Sequence, residues 1–414
     1  MVSTQTVHSP APASLDDYVR NMMERKLVHE VHQSELRSFR SCRRRWHWVF
    51  RDNYYPPLTI HYLEFGVAFH IAMEVIHRPE TWKFDHSVLG SLAEKAFVDE
   101  CKRQKKAYLD AKDLYALDDD KNSDYEARMA LGRGMIWYYV KNKLPEMQRT
   151  YVPVAVETSF DVPLLDNGEY MFCKCKRCRR DFVKAGGGKW RGNPVVYSGR
   201  TDMIVHDMRS NYYILDWKSA AAFREIEEYL ELDTQVGSYV MALRRKLGLN
   251  IMGFIYFELR KGFPEPPKMN TNPRLGRWFS VNKQQTTDYE TYLATIKEHD
   301  KEGYESGAYD GFLAWLKASG PQFFRKTSIP KSDYELDQVE KNLVLEIRDM
   351  LEPELRIYPA PSQFSCSSCA FSLPCRMKNS GEDYQYLLDT MYERREPYFR
   401  IKTQRFSTES RGGE

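Results

Sequence analysis

The sequence predicts an α/β protein in which a group of β-strands is flanked by helices. Long helical patterns of apolar residues fill most of 34–147, and from residue 151 the period changes to the alternation of Val152, Val154 and Val156. A further helical pattern and another apolar strand follow. This order is typical of an α/β core with helical additions. A content of 42% hydrophobic and 29% charged residues is that of a globular protein.

The N-terminal part is predicted to be helical after a flexible arm. Residues 1–33 are polar and irregular, so we expect them to form that arm. Ser34 to Phe50 is predicted to be one helix, with Ser34 as its N-cap. Residues 54–58 contain two prolines and are expected to form a loop, and Tyr62 to His77 a second helix. Residues 34–150 are thus a helical region.

The predicted core spans 151–260. Its strands are Tyr151 to Phe160, Val195 to Val205, Tyr212 to Leu215 and Ile251 to Leu259, with a helix at Ile226 to Leu247. An insert at 167–194, rich in Gly, Lys and Cys, separates the first two strands and fits no core element. We expect a loop and helical insertion over 261–345, a cysteine-bearing module over 346–380 and a polar tail over 381–414.

The overall charge excludes few function classes, because 61 basic and 58 acidic side chains leave a net charge of +3. The basic residues are clustered at 43–45, 102–106 and 174–180, and such clusters mark phosphate binders as well as ordinary solvated faces. The sequence contains no run of about 18 apolar residues, so we do not predict a transmembrane helix. Residues 1–17 lack the pattern of a secretory signal, so we expect a cytoplasmic or nucleoid-associated protein that is neither secreted nor bound to a membrane.

Six of the eight cysteines lie in two tight groups. One group is Cys-x-Cys-x2-Cys at 173–178, and the other is Cys-x2-Cys-x5-Cys at 366–375. A disulfide framework is not expected in a long chain without a secretory signal. In a reducing compartment, groups with this spacing predict metal sites.

Two acidic residues flank a turn-rich stretch at 207–211. Folding the chain at residue 209 places Asp202 opposite Asp216. Two carboxylates this close repel each other unless a cation lies between them, and hard oxygen ligands suit Mg²⁺ or Mn²⁺. Lys218 shares a strand face with Asp216, where an amine can orient a metal-bound water for hydrolysis of a phosphodiester. Taken alone, the triplet also suits a salt-bridged surface hairpin.

Further motifs surround this hairpin in a fixed order. Gly66-Val-Ala-Phe-His70 precedes it on a predicted helix, and Gly199-Arg-Thr-Asp202 and Asp216-Trp-Lys218 flank the turn. Gln235-Val-Gly-Ser-Tyr239 follows on a helix, where positions i and i+4 share a face. Each motif is weak and the ordered set is specific. On these residues the sequence resembles the PD-(D/E)XK nucleases, and within them the RecB-like branch.

The resemblance implies a restriction-endonuclease-like fold, a mixed β-sheet flanked by helices, with a divalent metal at its centre. It implies that Asp202 and Asp216 are the carboxylate ligands of Mg²⁺ or Mn²⁺. It also implies that His70 and the backbone carbonyl of Trp217 are further ligands of this metal.

The same resemblance assigns roles to the residues around the metal. It implies that Lys218 positions and activates the attacking water. It implies that Gln235 and Tyr239 hold the DNA backbone and Lys218 in place. Glu157, on the strand that opens the core, is expected to support the site by hydrogen bonding.

One subset of RecB-like nucleases, which includes AddB-type recombination nucleases and CRISPR-associated exonucleases, has one cysteine before the core and three after it. Here Cys42 precedes the core, and Cys366, Cys369 and Cys375 follow it. The resemblance implies a four-iron four-sulfur (4Fe-4S) cluster, although four thiolates alone also match a zinc site. Either metal would close a loop of more than 300 residues, so we expect its loss to remove much of the folding free energy.

The cysteines of the insert depart from the family pattern. Cys173, Cys175 and Cys178 lie among lysines and arginines and are one ligand short of a closed Zn²⁺ site. Cys101 or a histidine such as His206 are candidates for the fourth ligand. We expect the insert to be either a small basic module that binds DNA phosphates beside the active site or a flexible loop with reduced thiols.

The resemblance implies a metal-dependent deoxyribonuclease, and we expect an exonuclease that acts on single-stranded DNA ends with little base specificity. One alternative is a DNA-binding or assembly module with little activity, working with recombination, replication or CRISPR-like partner proteins. Another is a structure-specific endonuclease. The sequence contains no Gly-x4-Gly-Lys-Ser/Thr motif, so we do not expect a self-powered helicase-nuclease.

Overall fold

The computed structural model describes residues 14–56, 61–115, 122–186, 188–224, 227–270, 277–320 and 322–395. These residues form two compact units. The terminal unit contains the described residues within 1–58, 160–199 and 337–414, and the central unit contains those within 59–159 and 200–336. The predicted α/β class is confirmed, with a mixed sheet flanked by helices. No described helix has the length and hydropathy needed to cross a membrane.

The helices and strands have the following bounds. The helices are α1 Leu15–Glu24, α2 Gln33–Ser41, α3 Arg43–Trp46, α4 His61–His77, α5 His86–Tyr115, α6 Asn122–Asn142, α7 Leu144–Thr150, α8 Lys176–Lys184, α9 Glu227–Leu232, α10 Thr234–Leu247, α11 Tyr289–His299, α12 Lys301–Glu305, α13 Asp310–Ala318, α14 Asp333–Met350, α15 Gln363–Ser367, α16 Ser372–Ser380 and α17 Tyr384–Met391. The strands are β1 His29–Val31, β2 Tyr54–Tyr55, β3 Tyr151–Pro163, β4 Leu165–Asp166, β5 Glu169–Tyr170, β6 Phe172–Cys173, β7 Asn193–Asp207, β8 Tyr212–Ala220, β9 Ile251–Arg260, β10 Phe324–Pro330 and β11 Glu393–Arg394.

The sheet of the central unit contains the second half of β7, followed by β8, β9 and β10. Strands β7 and β8 form an antiparallel hairpin, β8 and β9 run parallel, and β9 and β10 run antiparallel. A parallel pair needs a crossover connection, and α10, which packs against β9, lies in that connection. The Asp233 side chain caps α10 by accepting a hydrogen bond from the Gln235 N–H.

Strand β10 was not predicted. It lies within 261–345, where the sequence indicated only a loop and helices. Its polar sequence, Phe-Arg-Lys-Thr-Ser-Ile-Pro, lacks the apolar alternation of a half-buried strand. Pairing with β9, from Phe324 opposite Leu259 to Pro330 opposite Gly253, stabilises it instead. An edge strand with charged side chains and a terminal proline is also protected from further pairing.

Helices α4, α5 and α6 cover the hairpin with an apolar face. The buried cluster contains Phe65, Phe69 and Ile76 of α4, together with Phe97 of α5 and Ile136 of α6. Strand residues complete the cluster, and the rings of Trp217 and Phe257 stack with centroids 4.8 Å apart. This packing fixes helix α4 over strand β8 and so sets where the polar side chains of α4 lie.

His77, at the end of α4, is buried within this cluster. Its ring lies 4.8 Å from that of Trp217, and its Nε2 is 2.8 Å from the Tyr139 hydroxyl. Its Nδ1 is 2.6 Å from the Met73 carbonyl oxygen. Burial lowers the pKa of His77 from 6.5 to about 4. The imidazole is therefore neutral in the folded protein at neutral pH.

We expect His77 to make folding stability depend on pH. The unfolded chain binds a proton at His77 below pH 6.5, whereas the folded chain does so only near pH 4, so stability falls across this window. The loss at pH 5 relative to neutral pH is about 2 kcal/mol. Urea unfolding at pH 7.5 and pH 5 should show a smaller loss in His77→Gln, which cannot titrate. An equal loss in both proteins would contradict this assignment.

In the terminal unit, the predicted flexible arm is wrong for residues 14–33, which contain α1 and β1. Ser14 and Asp17 form a capping box that starts α1, and Met22 is buried. Strand β1 runs parallel to the first half of β7, with His29 opposite Val195. The predicted polar tail also begins with structure, because α17 and β11 lie within 381–395.

The predicted single helix over 34–50 is broken at Cys42. Helix α2 ends before this residue, which has extended backbone angles of φ −167° and ψ 109°, and α3 begins after it. Residues 47–51 then form a π-helical turn, a feature often found near functional sites. The predicted N-cap is also wrong, because the helix begins at Gln33 and His32 precedes it.

Candidate active site

The β7–β8 hairpin brings the two predicted carboxylates together. Met203 is opposite Leu215, so the next residues along the two strands are Asp202 and Asp216. The turn is held by Asp207, whose carboxylate accepts hydrogen bonds from the Arg209 and Asn211 N–H groups. The Asp202 carboxylate also accepts the Trp217 N–H at 2.9 Å, which ties it to strand β8.

Lys218 lies on the same face of β8 as Asp216. Its Nζ is 2.5 Å from Asp216 Oδ2. Burial opposes the charge of Lys218, but Asp216 and Asp202 outweigh this effect and raise the pKa of its amine. Lys218 is therefore a protonated hydrogen-bond donor at neutral pH, and it cannot act as a general base in this state.

Helix α4 delivers His70 to the same place. Its Nδ1 is 3.3 Å from Asp202 Oδ2. One turn earlier α4 passes over the end of β8, where a Cβ added to Gly66 would lie 4.0 Å from Ser219 Oγ. Burial opposes the charge of His70, but Asp202 outweighs it and raises the His70 pKa. Reciprocally, His70 and Lys218 outweigh burial and lower the pKa of Asp202.

The two carboxylates are electrostatically different. Asp216 is only 5% exposed, and burial raises its pKa despite the contact with Lys218. Asp202 interacts with His70 and Lys218 and accepts the Trp217 N–H, so its charged form is favoured. A close pair of this kind with one stabilised and one destabilised carboxylate is typical of functional sites.

Glu157 lies beside this pair with a strained backbone. It is the one residue of β3 with a positive φ, +47°, in the left-handed region that side chains other than glycine rarely adopt. Its carboxylate is 2.6 Å from Arg200 Nε. Burial raises the pKa of Glu157 to about 7, even though Arg200 acts in the opposite direction. The expectation that Glu157 supports the site remains a prediction.

Two residues near the site were not predicted. Glu74 lies one helical turn after His70, and both line a small pocket with Glu157, Asp202 and Trp217. Its spacing of four residues from His70 places both side chains on the same face of the helix, and this spacing could have identified Glu74 from the sequence. Tyr256 is opposite Asp216 on β9, and burial raises its pKa to about 12. No motif distinguished it from a core tyrosine.

Gln235 and Tyr239 lie on α10. This helix packs against β9, the neighbour of the strand that carries Asp216 and Lys218. The structure thus places both residues on an element adjacent to the site. Their predicted roles toward Lys218 and the DNA backbone remain predictions.

The donor set suits a hard divalent cation. Asp202 and Asp216 offer carboxylate oxygens, and His70 offers a nitrogen. Asp216 Oδ2 is buried and makes no well-directed hydrogen bond within the described residues, although it pairs with the Lys218 ammonium. The chemistry of these residues therefore fits Mg²⁺ or Mn²⁺, with the Trp217 carbonyl as a further predicted ligand.

The four cysteines of the predicted cluster all belong to the terminal unit. Cys369 is close enough to Cys42 and Cys366 for their charges to interact, and burial raises its pKa. Cys375 Sγ accepts a hydrogen bond from Arg44 at 3.3 Å. Cys369 and Cys375 pack beside the buried Trp48 and Phe371.

The cysteines of the insert form a tighter group with a residue that was not predicted. One donor atom from each of His29, Cys173, Cys175 and Cys178 lies within 4.8 Å of the others. The fourth donor is a histidine, as one of the two expectations allowed, but it is His29; neither Cys101 nor His206 is a member of this group. Strands β1 and β6 both pair with the start of β7, at Val195 and Asn193, which brings His29 to Cys173.

A mixed sheet with two acidic residues and a lysine at its central hairpin has the parts for hydrolysis of a phosphodiester with a divalent metal. A family model of the PD-(D/E)XK nuclease superfamily matches residues 31–376. The chain belongs to this superfamily and is a metal-dependent nuclease. A comparison with curated proteins finds no match.

Proposed function

We propose that this nuclease is an exonuclease of the RecB-like type that degrades single-stranded DNA from an end. The observation that carries the proposal is the contact of His70 with Asp202, beside the Asp216–Lys218 ion pair. A Gly-x3-His helix is the motif by which the chain resembles the RecB-like branch. The contact supports that resemblance, because this histidine lies at the carboxylates rather than in the apolar cluster.

In the proposed reaction, water attacks the phosphorus in line with the leaving oxygen. Mg²⁺ or Mn²⁺ held by Asp202, Asp216 and His70 would supply an activated water and a counter-charge for the phosphate. The Lys218 ammonium donates hydrogen bonds and so orients the water and the phosphate oxygens. The Glu157–Arg200 pair holds the β3 and β7 backbones around Asp202.

We propose that the basic insert contacts DNA phosphates. Helix α8 and its flanks carry exposed lysines and arginines, namely Lys174, Lys176, Arg179, Arg180, Lys184 and Arg191. Contacts of this kind are electrostatic and independent of base sequence, as a nuclease with little base specificity needs. Salt should therefore weaken binding steeply.

We also propose that Cys42, Cys366, Cys369 and Cys375 hold a 4Fe-4S cluster. Four thiolates match iron–sulfur ligation and also a zinc site, and the resemblance to the iron–sulfur subset of RecB-like nucleases favours the cluster. Hydrogen bonds from Arg44 to Cys375 and from the Ser362 N–H to Cys366 would stabilise thiolate ligands.

The test compares DNA substrates that differ only in having an end. Protein purified without oxygen is mixed with a single-stranded circle, the same circle linearised, and a linear duplex, each with Mg²⁺ or Mn²⁺. We expect release of short products from the linear single strand, no cleavage of the circle, and no activity in Asp202→Asn, which removes a negative ligand oxygen.

Other outcomes separate the alternatives. Cleavage of the circle would identify an endonuclease and overturn the exonuclease proposal. Tight DNA binding without cleavage of any substrate would favour a binding or assembly module. Equal activity of Asp202→Asn and the unaltered protein would overturn the site itself.

A further inference from the structure

The group of His29, Cys173, Cys175 and Cys178 shares no residue with the acidic site or with the four cysteines assigned to the cluster. We propose that it is a closed Cys₃His site for a structural Zn²⁺ ion. Soft thiolates with one imidazole are the donor set that zinc prefers for structural sites, in which all four ligands come from protein. His29, Cys173 and Cys178 are buried, and Cys175 alone is exposed.

The distances between the donor atoms match those around a tetrahedral zinc ion. The Cys178 Sγ atom is 3.5 Å from His29 Nδ1. A tetrahedral zinc ion with a Zn–S bond of about 2.3 Å and a Zn–N bond of about 2.0–2.1 Å separates its nitrogen and sulfur ligands by about 3.5 Å. All four donor atoms lie within 4.8 Å of one another, so a single small ion can contact each of them.

Local structure presents the three sulfur atoms on one side of a short turn. Cys173 ends strand β6, and Cys175 is the N-cap of α8. The Cys175 sulfur accepts the Cys178 N–H at 3.4 Å. The first turn of a helix favours negative charge, so a thiolate at this position is stabilised. His29 completes the set from β1, more than 140 residues earlier in the chain.

The ion would add a cross-link between segments that also share apolar contacts. One apolar cluster of the described residues joins α1 to α8 and contains the buried residues Met22, Leu27 and Phe182, with Tyr18 and Trp190 partly buried against it. In small modules with such clusters, metal binding is coupled to folding. The zinc ion would tie β1 and α8 together.

The proposal is tested by metal analysis and X-ray absorption, independently of nuclease activity. We expect one zinc per chain, with a zinc-edge spectrum of three sulfur ligands at about 2.3 Å and one nitrogen at about 2.0–2.1 Å. This spectrum is measured on the unaltered protein and needs no variant. Four sulfur ligands, a shell of oxygen and nitrogen only, or no zinc after growth with added zinc would overturn the proposal.

Variants separate this site from the cysteines assigned to iron. Cys178→Ser should lose the zinc and keep the iron, whereas Cys101→Ala, a control at a cysteine outside both groups, should keep both metals. His29→Cys should retain zinc with a fourth sulfur ligand and so preserve folding. Zinc that persists in Cys178→Ser with unchanged ligands would overturn the assignment. A protein that has this zinc spectrum but no nuclease activity would still support the zinc site and would contradict only the proposed function.

Discussion

Replacing Lys218 with alanine should reduce DNA cleavage by about 10²–10³-fold. The Lys218 ammonium is 2.5 Å from Asp216 and is held in its protonated form by both carboxylates. Alanine removes the donor that we propose orients water and phosphate, and leaves two neighbouring carboxylates to repel each other. The rate constant for the first cut under single-turnover conditions measures this effect directly, because it excludes product release.

The control for this variant is Lys317→Ala, at an exposed lysine of α13 in the same unit. It removes the same charge away from the site and should cleave DNA at the unaltered rate. DNA affinity, measured with Ca²⁺ in place of Mg²⁺, should change little in both variants. If Lys218→Ala cleaved as fast as Lys317→Ala, the catalytic assignment of Lys218 would be wrong.

Replacing Cys369 with serine should remove the iron of the proposed cluster and unfold much of the terminal unit. The C-terminal cysteines pack on Trp48 and Phe371, and Cys42 comes from the opposite end of the chain. Because metal binding by such a set is coupled to folding, we expect its loss to cost on the order of 10 kcal/mol, as for structural zinc sites. The iron content, the visible absorbance of the cluster and the midpoint temperature of thermal unfolding should all decrease.

The Cys101→Ala variant serves as the matched control here, since Cys101 is a buried thiol in the central unit. It should keep its iron and lose only the stability that a small core substitution costs. Zinc instead of iron at the Cys369 set, in protein prepared without oxygen, would contradict the cluster assignment.

Much of the candidate site could be predicted because it is local in sequence. A hairpin has a fixed register once its turn is located, so Asp202 and Asp216 are placed opposite each other by counting alone. Lys218 follows from the period of two along a strand. His70 needed the family resemblance, since a lone histidine on an apolar helix is ordinarily a core residue, as His77 is in this protein.

The remaining features depend on contacts between distant segments. His29 joins the insert cysteines through strand pairing with β7, and no pattern within residues 1–33 marks it as a ligand. Strand β10 takes its conformation from β9 rather than from its own polar sequence. The break at Cys42 likewise interrupts a helical pattern that is continuous in the sequence. In each case tertiary context overrides local propensity.

The terminal unit is assembled from three separate stretches of chain, and its buried residues Tyr54 and Leu388 come from the first and the last of them. On the ribosome, Cys42 therefore emerges 324 residues before Cys366. At about 5–20 residues per second, this interval lasts roughly 15–65 s. Throughout that time the nascent polypeptide carries an unmatched thiol and the aromatic residues that later pack around it, so this unit can complete its core only after Leu388 has been synthesised.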